Sequence, residues 1–219
     1  MLKTCIVLLA LVCAAGAAFA QTPSSLPASA TTQAHTSDLG FSYSLPTSWE
    51  VVDMAPSLPA VREKVRNEAT SESEKHGADC TQIALTARHG TPVSVVVVMV
   101  VPFACLGQTM VEKDLPTFAG GVAEGLKNTF DIVDPIYGSY SLGAHSMWIE
   151  RAKANPKSQP QTHITLEVAC SLLKKGAVCW MILAADNAEL QTFEQGPVEL
   201  EGEAPVALVP ETAFDKKLS

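Results

Sequence analysis

The sequence predicts an α+β fold, in which a central and mainly antiparallel sheet carries further layers on both faces. Residues 93–101 are almost entirely valine, and β-branched side chains favour strands. Because this run lacks polar alternation, it is expected to be buried on both faces. Several shorter segments alternate apolar with polar residues between turn residues, which is typical of antiparallel hairpins. One segment after Cys105 has apolar residues at helical spacing, which predicts a helix against the sheet.

Length and composition indicate one domain with a substantial core. The chain has 219 residues, of which 47% are hydrophobic and 17% are charged, so global disorder is excluded and a single domain is expected. The formal net charge is −8, and no basic stripe is present. Binding to nucleic acid is therefore not expected, and neither is tight binding to anionic lipid.

Residues 1–20 are predicted to be a secretory signal peptide. Lys3 supplies the positive charge, an apolar segment follows, and an Ala-x-Ala site ends at Ala20, which leaves Gln21 as the first residue after cleavage. The alternatives are an uncleaved membrane anchor and a lipoprotein modified at Cys13. Cleavage predicts that the protein is periplasmic or secreted.

Residues 38–194 are expected to form the domain, between a flexible tether at 21–37 and a loosely held acidic tail at 195–219. The tether is rich in Thr, Ser, Ala and Pro, and neither flanking segment has a periodic apolar pattern. Within the domain, alternation, helical spacing and turn residues predict the following order of elements: strand 39–45, short strand 49–51, helix 58–76, strand 83–87, the valine strand 93–101, helix 115–130, strands 136–140, 145–153, 164–170 and 177–184, and a short helix after Asp186.

Four cysteines remain once the signal peptide is removed, and in an oxidising compartment they allow three pairings. If residues 173–176 form the hairpin loop, Cys170 lies opposite Cys179 at a separation compatible with a disulfide. A two-residue loop is the alternative, and it is expected to shift the register and move the two cysteines apart. Cys80 and Cys105 flank the other hairpin and form the expected second pair. The alternative is four buried thiols that pack as small apolar residues.

No catalytic or metal-binding motif stands out in the sequence. The five histidines include no pair at i and i+4 and no His-Glu-x-x-His motif, and His76 near Cys80 is the nearest approach to a ligand set. No Gly-x-Ser-x-Gly nucleophile elbow is present, although a Ser–His–acid set can assemble from distant residues. We therefore predict no catalytic residue, no metal site and no cofactor.

Trp148 and Tyr140 are the residues that we predict for a binding surface. Trp148 alternates with Met147 and Ile149 in its strand, so it lies on the opposite face of the sheet from them. If that face is open, Trp148 and Tyr140 could line a groove for a ligand or a partner. The alternative is burial of this face under a helix.

Residues 40–49 read Gly-Phe-Ser-Tyr-Ser-Leu-Pro-Thr-Ser-Trp. This opening, a strand with aromatic residues followed by Leu-Pro-x-x-Trp, resembles the PsbP/Mog1-like superfamily, and the order of the later elements is similar over residues 38–194. The resemblance implies an α/β/α sandwich with the valine strand at the sheet centre, and members of the superfamily are mostly binding or assembly proteins. The four cysteines and the acidic tail are not part of the family pattern, and the pattern offers no catalytic residue to carry over.

We therefore predict an exported, non-catalytic binding or assembly protein of the cell envelope. Its partner is expected to be an envelope protein or a small ligand, with no nucleic acid and no stable insertion into a membrane. Two alternatives stay open: an exported hydrolase whose site is not visible in the sequence, and an envelope factor anchored by lipid at Cys13.

Overall fold

The computed structural model describes residues 32–69 and 71–214. Helices and strands follow one another along these residues in this order: β1 (Thr32–Ser37), β2 (Phe41–Pro46), β3 (Glu50–Val51), α1 (Leu58–Glu68), α2 (Glu72–Cys80), β4 (Gln82–His89), β5 (Ser94–Pro102), α3 (Phe103–Leu106), a 3₁₀ turn (Glu112–Asp114), α4 (Leu115–Leu126), β6 (Phe130–Leu142), β7 (His145–Pro156), β8 (Ile164–Leu173), β9 (Gly176–Ala184), α5 (Asn187–Glu194), β10 (Pro197–Leu200) and β11 (Val206–Ala207). The predicted α+β class, with antiparallel sheets and flanking helices, is confirmed. None of the helices in this part of the chain is long and apolar enough to cross a membrane.

Antiparallel strands in the order β3-β4-β5-β9-β8-β7-β6 form the larger, seven-stranded sheet. β5 is the valine strand, and its residues 94–101 are all buried, which confirms that neither of its faces meets water. β9 is buried along its whole length and takes the centre of the sheet, so the valine strand lies beside the centre. The two apolar runs occupy the middle because strands covered on both faces need no polar alternation.

Helix α4 covers one face of this sheet, which we call the helix side. Its buried residues recur at helical spacing and pack with apolar residues of β5, β8 and β9 in one core cluster. The predicted helix is confirmed, but it ends at Leu126, and Phe130 begins strand β6. Phe130 is buried in the same cluster, which explains why it matched the helical spacing.

The other face, which we call the strap side, is covered by α5 and by a four-stranded sheet in the order β1-β2-β10-β11. Phe41 and Tyr43 of β2 meet the ring of Trp180 on β9 edge to face, at centroid distances of 5.7 and 6.2 Å. The Tyr43 hydroxyl donates a 3.1 Å hydrogen bond to the carbonyl of Phe193 in α5. Strand β2 and helix α5 are therefore joined over the core of this face.

The prediction of a flexible tether is wrong for residues 32–37. These residues form β1, which pairs with β2 along its whole length. Their burial alternates between exposed and half-buried, but the side chains are nearly all polar, so a search for apolar alternation does not detect the strand. Residues 1–31, which include the predicted signal peptide, and residues 215–219 lie outside the described residues.

The prediction of a loosely held acidic tail is also wrong within the described residues. Strand β10 pairs with β2, and the tail buries several apolar side chains in the core: Val198, Leu200, Leu208, Val209 and Ala213. Its carboxylates are bound as well, since Glu201 accepts a 2.7 Å hydrogen bond from the Lys174 N–H and Glu203 accepts one of 3.2 Å from the Ala144 N–H. Glu201 and Glu203, whose charges suggest a solvated segment, are thus bound to the turns at Lys174 and Ala144. We call residues 203–214 the C-terminal strap.

The single helix predicted over residues 58–76 consists of two helices, α1 and α2. The Ser71 side chain accepts a 3.2 Å hydrogen bond from the Glu74 N–H, and the Glu74 carboxylate accepts one of 3.2 Å from the Ser71 N–H. This capping box begins a new helix, which continues through Gly77 to Cys80.

Both predicted disulfides are present. Cys170 and Cys179 lie directly opposite each other in the β8–β9 hairpin, with Cα atoms 4.2 Å apart, and both are fully buried. The expected loop over residues 173–176 is wrong, because Leu173 pairs with Gly176 and the loop contains only Lys174 and Lys175, in the same register. Cys80 at the end of α2 is bonded to Cys105 in α3, with Cα atoms 5.5 Å apart. Two disulfides in one domain are typical of proteins in oxidising compartments.

Candidate functional site

Strand β6 is the edge strand of the seven-stranded sheet in the described part of the chain. Within the described residues it pairs with β7 on one side and with no strand on the other. β6 spans 13 residues, whereas β3 at the opposite edge spans two. An edge strand presents unpaired backbone N–H and C=O groups to whatever lies beside it. The β6 edge therefore offers a long row of backbone hydrogen-bonding groups.

A β-bulge in β6 places two apolar side chains on the same face. Val133 is paired with Lys153 and Ile136 with Arg151, with a register shift between the two pairs. Without the extra residue, positions 133 and 136 would point to opposite faces of the sheet. With it, both side chains lie on the strap side, where Val133 is 42% exposed and Ile136 is 41% exposed.

Next to this apolar pair, Arg151 bridges two glutamates. Its Nε donates to Oε2 of Glu167 at 2.7 Å, and its Nη2 lies 2.6 Å from the same oxygen. Nη2 also donates to Oε1 of Glu194 in α5. The exposed fraction of the side chain is 28% for Arg151, 0% for Glu167 and 13% for Glu194. These three residues, which we call the Arg151 cluster, reach solvent mainly through the Arg151 side chain.

The Arg151 cluster holds a proton at neutral pH. Burial raises the pKa of Glu167 to about 8, although the charge of Arg151 acts in the opposite direction. Burial also raises the pKa of Glu194, again against the attraction of Arg151. Oε1 of Glu167 is buried and has no hydrogen-bond partner in the described part of the chain. The carboxyls of Glu167 and Glu194 also interact directly, and a proton on Glu167 leaves one positive and one negative charge in the cluster.

The C-terminal strap covers the cluster on the side away from the sheet. The Arg151 guanidinium lies over the ring of Phe214, 4.4 Å from its centroid. The Tyr140 hydroxyl donates a 2.7 Å hydrogen bond to the Leu208 carbonyl, and the Val209 N–H donates one of 3.0 Å to the backbone carbonyl of Glu194. The strap is therefore a packed layer of the fold that fixes the position of Glu194.

The structure places Tyr140 and Trp148 on opposite faces of the sheet. Tyr140 is paired with Met147 and packs against the strap-side core, whereas Trp148 packs against the helix-side core. Trp148 is half-buried, and its ring centroid lies 5.9 Å from that of Tyr137. The two residues predicted to line one groove do not share a surface, because consecutive positions along a strand alternate between its faces.

Two titratable groups of the strap side, Glu167 and His89, are candidates for catalytic chemistry. Glu167 has no exposed surface and is held by Arg151, so it does not reach a substrate. His89 Nδ1 lies 2.8 Å from Oε1 of Glu189, as a triad histidine lies near its acid, and its ring stacks on Trp49 at 5.1 Å. Among the described residues no hydroxyl or thiol is hydrogen-bonded to His89. Nor do these residues contain a group of three or more His, Cys, Asp or Glu side chains placed to hold a metal ion.

Sequence reasoning missed the Arg151 cluster for a specific reason. Alternation with Leu166 and Val168 assigns Glu167 to a polar, solvated face of β8. That face is in fact buried, because segments near both ends of the described chain cover it. The small residue Ala169, on the same face as Glu167, is the one local sign of burial that the sequence carries.

Comparisons with known proteins find a similar fold and no family. No family model matches the chain, and no curated protein matches its sequence. The solution structure of cyanobacterial PsbP (CyanoP) from Synechocystis sp. PCC 6803 is similar, with a TM-score of 0.40 and 10% identity, over 78% of this chain and 89% of that chain. PsbP gives its name to the superfamily that residues 40–49 resemble.

Proposed function

We propose that this protein is an exported, non-catalytic binding protein of the cell envelope, and that it binds an extended segment of a partner protein along β6. The β6 edge, with Val133 and Ile136 exposed side by side, is the observation that carries the proposal. A segment that adds a strand to a sheet edge gains affinity from main-chain hydrogen bonds and specificity from side-chain contacts. The β6 edge provides both kinds of contact.

The charges on β6 indicate the chemistry of the partner segment. Asp131 and Asp134 are exposed beside the apolar pair, and Asp131 lies 4.0 Å from Lys157. A second copy of this chain paired along β6 would bring acidic strands together, and like charges across a strand pair are unfavourable. The partner segment is therefore expected to combine apolar residues with Lys or Arg.

A photo-crosslinking amino acid at position 136, activated in intact cells, tests the binding surface. We expect attachment to an extended, basic segment of one envelope protein, with a yield that falls about fivefold or more when Val133 is also replaced by Ser. The matched control is the same crosslinker at Val111, which is 51% exposed in the loop before α4. Equal attachment at both positions, or none at position 136, would contradict the proposal.

The two disulfides support export, because such bonds persist in oxidising compartments. The signal-peptide pattern that ends at Ala20 further suggests cleavage before Gln21, in the periplasm or outside the cell. The intact mass of the protein recovered from its native host tests this part of the proposal. A chain that begins at Gln21 is expected, whereas retention of residues 1–20 or a lipid on Cys13 would contradict it.

A further inference from the structure

The two disulfides differ in their access to solvent. Cys170 and Cys179 are both fully buried in the helix-side core. Cys80 is buried as well, but its partner Cys105 is exposed in the short helix α3. Thiol–disulfide exchange requires a thiolate to reach one of the bonded sulfurs, so the rate depends on access. The bond between α2 and α3 is therefore open to attack from one side, and the bond between β8 and β9 is not.

An exposed histidine lies beside the accessible disulfide. His76 precedes Cys80 by one turn of α2, and its Nε2 lies 3.8 Å from the Cys80 sulfur. A cysteine that leaves as a thiolate is stabilised by a neighbouring positive charge or proton donor. Attack on Cys105 makes Cys80 the leaving group, and the imidazole lies next to that sulfur.

We propose that Cys80–Cys105 is a thiol–disulfide exchange site for an external dithiol. A thiolate of the dithiol attacks Sγ of Cys105 and forms a mixed disulfide, while the bond between the two protein sulfurs breaks. The electron pair of that bond leaves on Sγ of Cys80, next to Nε2 of His76, and the thiolate then takes up a proton from water. The second thiolate of the dithiol then attacks the mixed disulfide and releases Cys105 as a thiolate. The protein disulfide gains two electrons, and the dithiol is oxidised to its own disulfide.

Reduction at this site releases a defined part of the fold. The helices α1 and α2 pack on the sheet through a small cluster formed by Val61, Ala78 and Ile83. The Cys80–Cys105 bond adds the covalent link from α2 to α3. Once that link is broken, α1 and α2 are held by the small cluster and by the Cys80 side chain, which packs in the helix-side core, and segments with few buried apolar contacts open first.

Graded reduction of the full folded protein with dithiothreitol tests the proposal. After each step the free thiols are alkylated and located by peptide mass spectrometry. Cys80 and Cys105 are expected to react together, at a dithiol concentration about tenfold or more below that needed for the buried pair, which serves as the control in the same molecule. Reduction of both bonds at one concentration, or of Cys170–Cys179 first, would overturn the proposal.

Two variants test separately the role of His76 in the exchange and the role of the disulfide in holding α2. His76→Gln is expected to slow reduction of Cys80–Cys105 about fivefold without a change in the melting temperature, and an unchanged rate would remove the histidine from the mechanism. The double variant Cys80→Ser with Cys105→Ser is expected to speed amide hydrogen exchange in residues 58–80 about tenfold, with the sheet unaffected. Equal acceleration in the sheet would show that the bond supports the whole fold and not α2 in particular.

Discussion

The two faces of the seven-stranded sheet are each connected by a different kind of bond. One is a disulfide, which we call the covalent link, and the other is the Arg151 cluster, which we call the ionic link. On the helix side, the Cys170–Cys179 disulfide joins β8 to β9 covalently. On the strap side, Glu167 of β8 is joined to Arg151 of β7 and to Glu194 of α5 by charge and a shared proton. The disulfide does not titrate, whereas the charge of the Arg151 cluster changes with pH. The contribution of the ionic link to the free energy of unfolding should therefore depend on pH, whereas that of the covalent link should not.

Arg151→Met breaks the ionic link and should lower the free energy of unfolding more than the other substitutions on the strap side. It leaves two carboxyls, one of them fully buried, without a counter-charge, and the loss of one partner of a buried ion pair costs about 3–5 kcal/mol. The free energy of unfolding in urea should fall by about 3 kcal/mol at pH 8 and by less at pH 4.5, where both carboxyls can be protonated.

Arg88→Met is the matched control for that change. It removes an arginine that pairs with Glu50 at 2.9 Å, and both side chains are exposed. An exposed pair contributes little, so the unfolding midpoint should stay almost unchanged. Equal losses in the Arg151 and Arg88 variants would show that burial of the cluster is energetically unimportant.

The double variant Cys170→Ala with Cys179→Ala should break the covalent link. A disulfide that closes a short loop stabilises a domain by about 3 kcal/mol, and this loss should be the same at pH 5 and pH 8. Urea unfolding at the two pH values measures it. A loss that grows with pH would mean that the helix side also carries the pH dependence.

The covalent link could be predicted from the sequence, and the ionic link could not. The β8–β9 hairpin is local, so alternation and one turn fix its register and bring Cys170 opposite Cys179. The Arg151 cluster joins residues up to 43 positions apart, and the C-terminal strap that covers it has no apolar period. From the sequence alone, a carboxylate at a polar position of an alternating strand is therefore predicted to face solvent.

The proposed binding edge could not be predicted from the sequence pattern either. Asp134 and Pro135 are turn-forming residues, and they predict a break before a short strand over residues 136–140. In the structure they form a bulge inside one long strand that begins at Phe130. The exposed pair of Val133 and Ile136 depends on that bulge, so its position on one face could not be read from alternation.

Glu167→Gln should strengthen the ionic link at high pH. Glu167 keeps its proton in the folded state up to about pH 8 but ionises near its ordinary pKa of 4.5 when unfolded, so the folded state loses stability as the pH rises from 4.5 to 8. Gln preserves an acceptor for Arg151 and a donor for Glu194 without that loss. The variant should exceed the parent protein by ~2 kcal/mol at pH 8 and match it near pH 4.5.

Glu211→Gln provides the control, because Glu211 is an exposed residue of the strap. Its urea unfolding curves should follow those of the parent protein at every pH. If the Glu167 and Glu211 variants gave the same pH profile, the buried carboxyl could not be the source of the difference.

Tyr140→Phe should have the smallest effect on the strap side. It removes the hydroxyl that donates to the Leu208 carbonyl at 2.7 Å, and loss of such a hydrogen bond costs about 1 kcal/mol. Tyr137→Phe removes a hydroxyl from the neighbouring half-buried tyrosine on the helix side and should cost less. Thermal unfolding of the two variants compares them, and a larger loss for Tyr137→Phe would contradict the role of the strap contact.

Direct titration of Glu167 is the measurement that tests the difference between the two faces most closely. The side-chain carboxyl carbons of glutamate are labelled with ¹³C, and their NMR shifts are followed over a range of about pH 4 to 10. One carboxyl is expected to titrate near pH 8, because burial raises the pKa of Glu167 to about 8, and its signal should be absent from the spectrum of Glu167→Gln. A Glu167 signal that titrates near its ordinary pKa would contradict the buried proton and the pH-dependent link on the strap side.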